Sequence, residues 1–205
     1  MDRQAIREKF GDDYLASERT FTMGIDRRFT EAIADRFTGK TVLETCTGGG
    51  FTTMALARAA RHVFTVEVDG DTQAQARSNL RRAGLLEKVT FLLGDATESS
   101  FLSQVGPVDA AFLDPDWAVT GPDHEFRFLR SNTRPPADEL LELVFSLTPN
   151  VALVLPPLVD RGEFAGLPFH ELQEMYLSDR HELFVLYFGN LAVASGVTEF
   201  RVADS

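Results

Sequence analysis

A chain of 205 residues suits one α/β domain spanning 1–205 and is long enough to bury a full core, since domains of about 100 to 200 residues are typical. With 44% hydrophobic and 25% charged residues it is not dominated by disorder, and its single cysteine, Cys46, excludes an internal disulfide and a Cys/His zinc site. A formal charge of −11 disfavours non-specific nucleic-acid binding, which needs local positive potential.

No apolar run of about 18 residues marks a membrane span. The start, Met1-Asp2-Arg3-Gln4, lacks the basic region and apolar stretch of a signal peptide. A cytoplasmic protein is the expectation. Residues 1–38 are expected to form a helical segment before the sheet. Within it, Ile6, Phe10, Tyr14 and Leu15 recur at roughly helical spacing in a charged stretch, as in a packing helix or an arm for a partner.

Apolar, β-branched runs then alternate with stretches of helical period. Strands are expected at Thr41 to Glu44, Val63 to Val68, Val89 to Leu93, Val108 to Leu113 and Val151 to Leu155. Their continuous apolarity suits parallel strands covered on both faces. Helices expected at Thr52 to Ala60, Asp71 to Ala83 and Ala137 to Leu147 supply the crossovers that parallel strands require. Two later runs, Glu182 to Phe188 and Thr198 to Val202, leave no room for a crossover helix and are expected to pair antiparallel with each other.

The first strand runs into Glu44-Thr45-Cys46-Thr47-Gly48-Gly49-Gly50, a turn that opens into a helix. Glycines there let backbone approach a ligand at the carboxyl edge of an open sheet, which makes Glu44, Thr45, Gly48 and Gly50 candidate cofactor residues. A tight structural turn is the plainer reading. The second strand ends in Glu67-Val68-Asp69, where Glu67 can accept both hydroxyls of a ribose and Asp69 can equally cap the next helix. Gly94-Asp95-Ala96 ends the third strand and adds a carboxylate able to accept from an adenine amino group, with Ala96 beside it.

Thr53 stands where a dinucleotide turn of the form Gly-x-Gly-x-x-Gly would have its third glycine. The acid-rich edge therefore suits S-adenosylmethionine, a phosphate-free sulfonium cation, better than a pyrophosphate. At the end of the fourth strand, Asp114-Pro115-Asp116-Trp117 can hold a planar amine. Asp114 and the Pro115 carbonyl would accept the amino hydrogens and direct the lone pair, and Trp117 would stack on the ring. A proline turn with a core tryptophan is the alternative.

These motifs resemble class I methyltransferases, and among them the trimethylguanosine synthase family, which methylates the N2 amine of guanine in an RNA cap. The likeness covers most of Phe21 to Val202 and rests on Glu44 with Gly48 and Gly50, Glu67-Val68-Asp69, Asp114-Pro115-Asp116-Trp117, Leu155-Pro156 and Tyr187-Phe188-Gly189-Asn190-Leu191. Thr47 replaces a family cysteine, Asp116 a family proline, and Pro157-Leu158 a family Arg-Asn pair. The resemblance implies a seven-stranded Rossmann-like α/β fold, mostly parallel, with helices on both faces and a C-terminal antiparallel hairpin.

It also implies a metal-free, S-adenosylmethionine-dependent N-methyltransferase acting on a guanine amine in RNA. A small-molecule or protein N-methyltransferase, and a binding module without transfer, are the other readings. For an RNA substrate, Arg127, Arg130 and Arg134 are expected near the mouth of the site, where they would position phosphates. Otherwise they are solvated cations paired with Asp123, Glu125 or Asp138.

Overall fold

The computed structural model describes residues 1–98, 104–117 and 126–203, which divide into two compact units, Met1–Asp109 and Ala110–Ser205.

The first unit begins with three short helices, α1 (Arg3–Phe10), α2 (Glu18–Met23) and α3 (Arg27–Asp35). The single helix expected over the first residues stops at Gly11, whose left-handed φ of 93° lets its N–H return to the Arg7 carbonyl, a conformation costly for other residues. Ser17 and Thr20 then form a reciprocal capping box that starts α2, each satisfying an orphan amide of the first turn. Ile6, Phe10 and Tyr14 are buried, whereas Leu15 is 57% exposed. Phe10 stacks on Phe51 with ring centroids 3.5 Å apart, which fixes the N-terminal segment to the helix that follows the glycine turn.

Strands β1 (Thr41–Thr45), β2 (His62–Glu67) and β3 (Val89–Leu93) are parallel in the order β3-β2-β1. Helices α4 (Phe51–Ala59) and α5 (Gly70–Arg82) connect them and pack on β2. Every residue of α4 from Phe51 to Ala57 is buried, because α3 also packs against it. The register sets Glu44 of β1 beside Thr65 of β2, a pairing that matters for the glycine turn.

The second unit contains β4 (Ala110–Leu113), α6 (Ala137–Phe145), β5 (Val151–Leu155), β6 (His170–Leu177), β7 (Arg180–Phe188) and β8 (Gly196–Val202). Strands β4 and β5 run parallel, and β7 returns antiparallel to β5. All residues of β4 and β5 are buried.

The described residues thus hold eight strands, not seven. The expected pairing of Glu182 to Phe188 with Thr198 to Val202 is also corrected: β6 intervenes, antiparallel to β7 and parallel to β8. Its sequence, with Glu171 and Glu174, lacks the apolar signature of a buried strand, yet both acids are buried. Each is compensated, as burial of a charge requires. Glu171 accepts from the backbone of Val193 and Ala194 and from the Thr198 hydroxyl, at 2.9, 3.3 and 2.7 Å. Glu174 pairs with Arg161 at 2.5 Å and accepts from the Tyr176 hydroxyl at 2.7 Å.

At the end of β7, Gly189 has a φ of 60°. A Cβ there would fall 2.5 Å from Asn150 Oδ1 and 2.6 Å from the Pro149 carbonyl oxygen. Glycine in Tyr187-Phe188-Gly189-Asn190-Leu191 is therefore dictated by close packing, and Asn190 N–H completes the corner on Asn150 Oδ1 at 2.8 Å.

Candidate active site

In the first unit the site is built on the turn between β1 and α4. Cys46, Gly48 and Gly50 all have left-handed φ values, 63°, 53° and 79°, so the chain turns sharply and α4 starts from Gly50. A Cβ on Gly50 would lie 2.9 Å from Leu80 Cδ2 and 3.0 Å from Ala76 Cβ; this glycine admits α5 to the turn. Gly48 differs, since a Cβ there would meet only the Cys46 carbonyl oxygen, at 3.9 Å. Its backbone is open to an incoming molecule.

Glu67 holds this turn from β2. One oxygen accepts the Gly48 N–H at 2.9 Å and the other accepts the Asp69 N–H at 3.1 Å. Two amides fix the carboxylate while lone pairs remain for further donors. Asp69 accepts the Thr72 N–H at 2.7 Å and is the N-cap of α5, the capping role left open by the sequence. Thr72 likewise holds the Asp69 carboxyl below the ordinary carboxylate range.

Glu44 lies behind the turn, only 1% exposed. Its Oε2 accepts the hydroxyls of Thr53, from α4, and Thr65, from β2, each at 2.6 Å, and the Thr65 hydroxyl meets that of Thr47 at 2.6 Å. Burial pushes the Glu44 carboxyl up to about 7, against the lowering effect of the two threonine bonds. Its neighbour Thr45 is equally buried, and the Thr45 hydroxyl oxygen has no hydrogen-bond partner. Asp95 bonds within its own turn, accepting the Thr97 N–H and hydroxyl at 2.8 and 2.7 Å, and Ala96 is buried beside it.

Sequence reasoning missed Asn79, which is fully buried on α5. Its amide accepts the Leu15 N–H at 2.8 Å and donates to the Leu15 and Gly49 carbonyls, both at 2.9 Å. Gln75, a turn earlier, donates to the Leu15 carbonyl at 3.0 Å and the Thr20 hydroxyl at 2.9 Å. One side chain thus fastens both the N-terminal segment and the glycine turn. The only local signal was an asparagine inside a helix, where it is a poor former.

In the second unit, Asp114 directly follows β4 and is partly exposed, Pro115 is buried, and Asp116 and Trp117 are partly exposed. Asp116 and Arg134 exchange two backbone hydrogen bonds, at 2.8 and 2.9 Å. This brings the loop containing Arg127, Arg130 and Arg134 back to the tetrad. Asp123 and Glu125, offered by the sequence as partners for these arginines, lie outside the described residues. Asp138 does not pair with them; it accepts the backbone N–H groups of Arg130 and Ser131 at 2.7 and 3.2 Å.

Among the described residues no cluster of three or more His, Cys, Asp or Glu is placed to hold a metal, and no helix is long and apolar enough to cross a membrane.

Comparison with known proteins gives three kinds of likeness. The profile of a family described as RNA cap guanine-N2 methyltransferase matches residues 39–170. A catechol O-methyltransferase from Mycobacterium tuberculosis is 36% identical over 92 residues, 43% of this chain and 42% of its own length. A putative methyltransferase from Porphyromonas gingivalis superposes with a TM-score of 0.75 at 18% identity, over 91% of this chain and 47% of that one. The O-methyltransferase TomG from Streptomyces achromogenes, in complex with S-adenosylmethionine, gives 0.56 at 20% identity, over 91% and 86%. The chain therefore spans less than half of the Mycobacterium and Porphyromonas relatives. The structural likenesses establish the Rossmann-like methyltransferase fold.

Proposed function

We propose that this chain, which belongs to the family described as RNA cap guanine-N2 methyltransferase, is an S-adenosylmethionine-dependent methyltransferase acting on an exocyclic amine of guanine in RNA. The observation behind the substrate class is Asp114-Pro115-Asp116-Trp117 at the carboxyl end of β4, where a carboxylate and an indole ring, both partly exposed, stand three residues apart.

The first unit suits the methyl donor. Acids at the ends of β2 and β3 favour a cationic, hydroxyl-rich ligand without phosphate, and the backbone at Gly48 is open. Glu67, held by the Gly48 and Asp69 amides, would accept the ribose hydroxyls; Asp95 would accept from the adenine amino group, with Ala96 next to it in sequence. Thr45, Gly48 and Gly50 contribute the turn, and Glu44 braces it through Thr53 and Thr65. When bound, S-adenosylmethionine supplies an electrophilic methyl group on a sulfonium centre.

The second unit supplies the acceptor chemistry. An aromatic amine is a weak nucleophile because its lone pair is delocalised into the ring. Asp114 and the Pro115 carbonyl accept its hydrogens and fix the direction of that lone pair, so orientation carries most of the rate. Trp117 stacks on the base and excludes water. The methylated nitrogen is cationic and sheds its proton readily, to Asp114 or to water.

The catechol O-methyltransferase likeness favours a second reading, transfer to a small aromatic molecule. Incubation with tritiated-methyl S-adenosylmethionine and separate RNA, protein and metabolite fractions decides between them. Label in RNA, recovered as N2-methylguanosine after nuclease digestion, is the expected result. Label confined to metabolites or protein would replace guanine as substrate, and donor binding without any transfer would make the chain a binding module.

A further inference from the structure

We infer that the loop spanning 126–136 is an anion-binding arm that takes RNA phosphates beside the methylated base, through the guanidinium groups of Arg127, Arg130 and Arg134. The inference rests on the RNA reading above and adds the residues that would make a chain of net charge −11 compatible with it.

From Ala110 onward the only lysine or arginine residues are Arg127, Arg130, Arg134, Arg161, Arg180 and Arg201. The last three are neutralised by carboxylates, Arg161 by Glu174, Arg180 by Glu182 and Arg201 by Glu199. The first three are exposed and make no ion pair among the described residues. Three cations with no carboxylate partner among the described residues thus fall within eight positions of one loop, and that loop is the one joined to Asp116.

Acids stand close to this loop and keep their charge, but their hydrogen bonds among the described residues go to its backbone N–H groups and not to its guanidinium groups. Glu163 Oε2 accepts the N–H groups of both Phe128 and Leu129, at 2.5 and 3.0 Å, and Asp138 takes those of Arg130 and Ser131. The loop is pinned further by Phe128, which is 2% exposed and packs edge-on against Phe164, and by the Thr133 hydroxyl donating to the Pro135 carbonyl at 2.8 Å. Arg127 N–H donates to Asn132 Oδ1 at 3.1 Å. A fixed backbone held by carboxylates, with its guanidinium groups left over, presents positive charge at small cost in ordering on binding. Guanidinium is also the side chain best matched to phosphate oxygens. Near Asp114 and Asp116, a polyanion would otherwise meet two negative charges.

The test uses a fluorescent 12-nucleotide single-stranded RNA, with binding measured across salt concentrations on the wild type and on a triple variant, Arg127→Gln, Arg130→Gln, Arg134→Gln. Loss of three phosphate contacts should lower the magnitude of the slope of log K against log salt by about 2, on the scale of about 0.7 per contact for single strands. Affinity at low salt should fall at least 10-fold. S-adenosylhomocysteine affinity and the thermal midpoint should stay as in the wild type, and the corresponding triple Arg→Lys protein should recover most of the slope. An unchanged slope, or a wild type whose RNA binding is insensitive to salt, overturns the inference. Because this binding needs no methyl donor, an arm that behaves as expected in a protein that labels no RNA would refute the guanine-amine reading alone.

Discussion

Glu44→Gln removes a titrating carboxyl from behind the glycine turn and leaves an oxygen that can still accept from Thr53 and Thr65. Folding moves this carboxyl from its ordinary 4.5 up to about 7, chiefly through burial; the Thr53 and Thr65 bonds oppose the rise and the charge of Glu67 adds to it. The folded protein therefore holds the proton more tightly than the unfolded chain. By linkage, the stability from this group is fully present below about pH 4.5 and is lost as pH rises through about 7.

At about 1.36 kcal/mol per pH unit, the interval from 4.5 to about 7 corresponds to about 3 kcal/mol, most of it lost between pH 5 and pH 8. Urea unfolding of wild type and variant at those two pH values isolates the contribution, because other groups titrate alike in both proteins. The difference between them should change by about 2 to 3 kcal/mol, in the variant's favour at pH 8. A difference independent of pH would refute the argument that Glu44 folds as a buried acid.

Three further substitutions follow from the site. Asp114→Ala should slow methyl transfer by about 100-fold through misorientation while leaving S-adenosylhomocysteine affinity unchanged, and Trp117→Ala should instead weaken RNA binding by about 1 to 3 kcal/mol, largely recovered in Trp117→Phe. Full activity in the first, or a lowered melting temperature with weakened donor binding in the second, would sink the amine-holding role. Asn79→Ala loses three hydrogen bonds, one buried and two part-buried, each worth about 1 kcal/mol. Thermal unfolding should show a fall of several degrees together with weaker S-adenosylhomocysteine binding by calorimetry, and an unaltered donor affinity would disconnect Asn79 from the turn.

The strands of the first unit were legible in the sequence because they are short, continuous and apolar: β3 matches its expected run, while β1 and β2 shift by a residue at one or both ends. The glycine turn was legible for the same local reason, since no other residue takes the φ angles of Gly48 and Gly50 so cheaply; the left-handed Cys46 between them and the strand carried no such signal. What escaped were relations between distant positions. Asn79 reaches back across 64 residues to Leu15, and Thr65 lies 21 residues from Glu44; neither leaves a periodicity to read. Strand β6 was hidden because Glu171 and Glu174 resemble surface acids until the backbone and hydroxyl donors that compensate them are in place. The single N-terminal helix failed on a signal that was present, Gly11 followed by Asp12 and Asp13, a common way to end a helix.

The shared hold of Asn79 on Leu15 and Gly49 carries a thermodynamic corollary. If docking of the first residues helps set the turn for its ligand, then by reciprocity the ligand must tighten the docking of those residues by the same free energy. A methyl donor at the turn would thus be felt some 35 residues upstream, as slower amide exchange around Leu15.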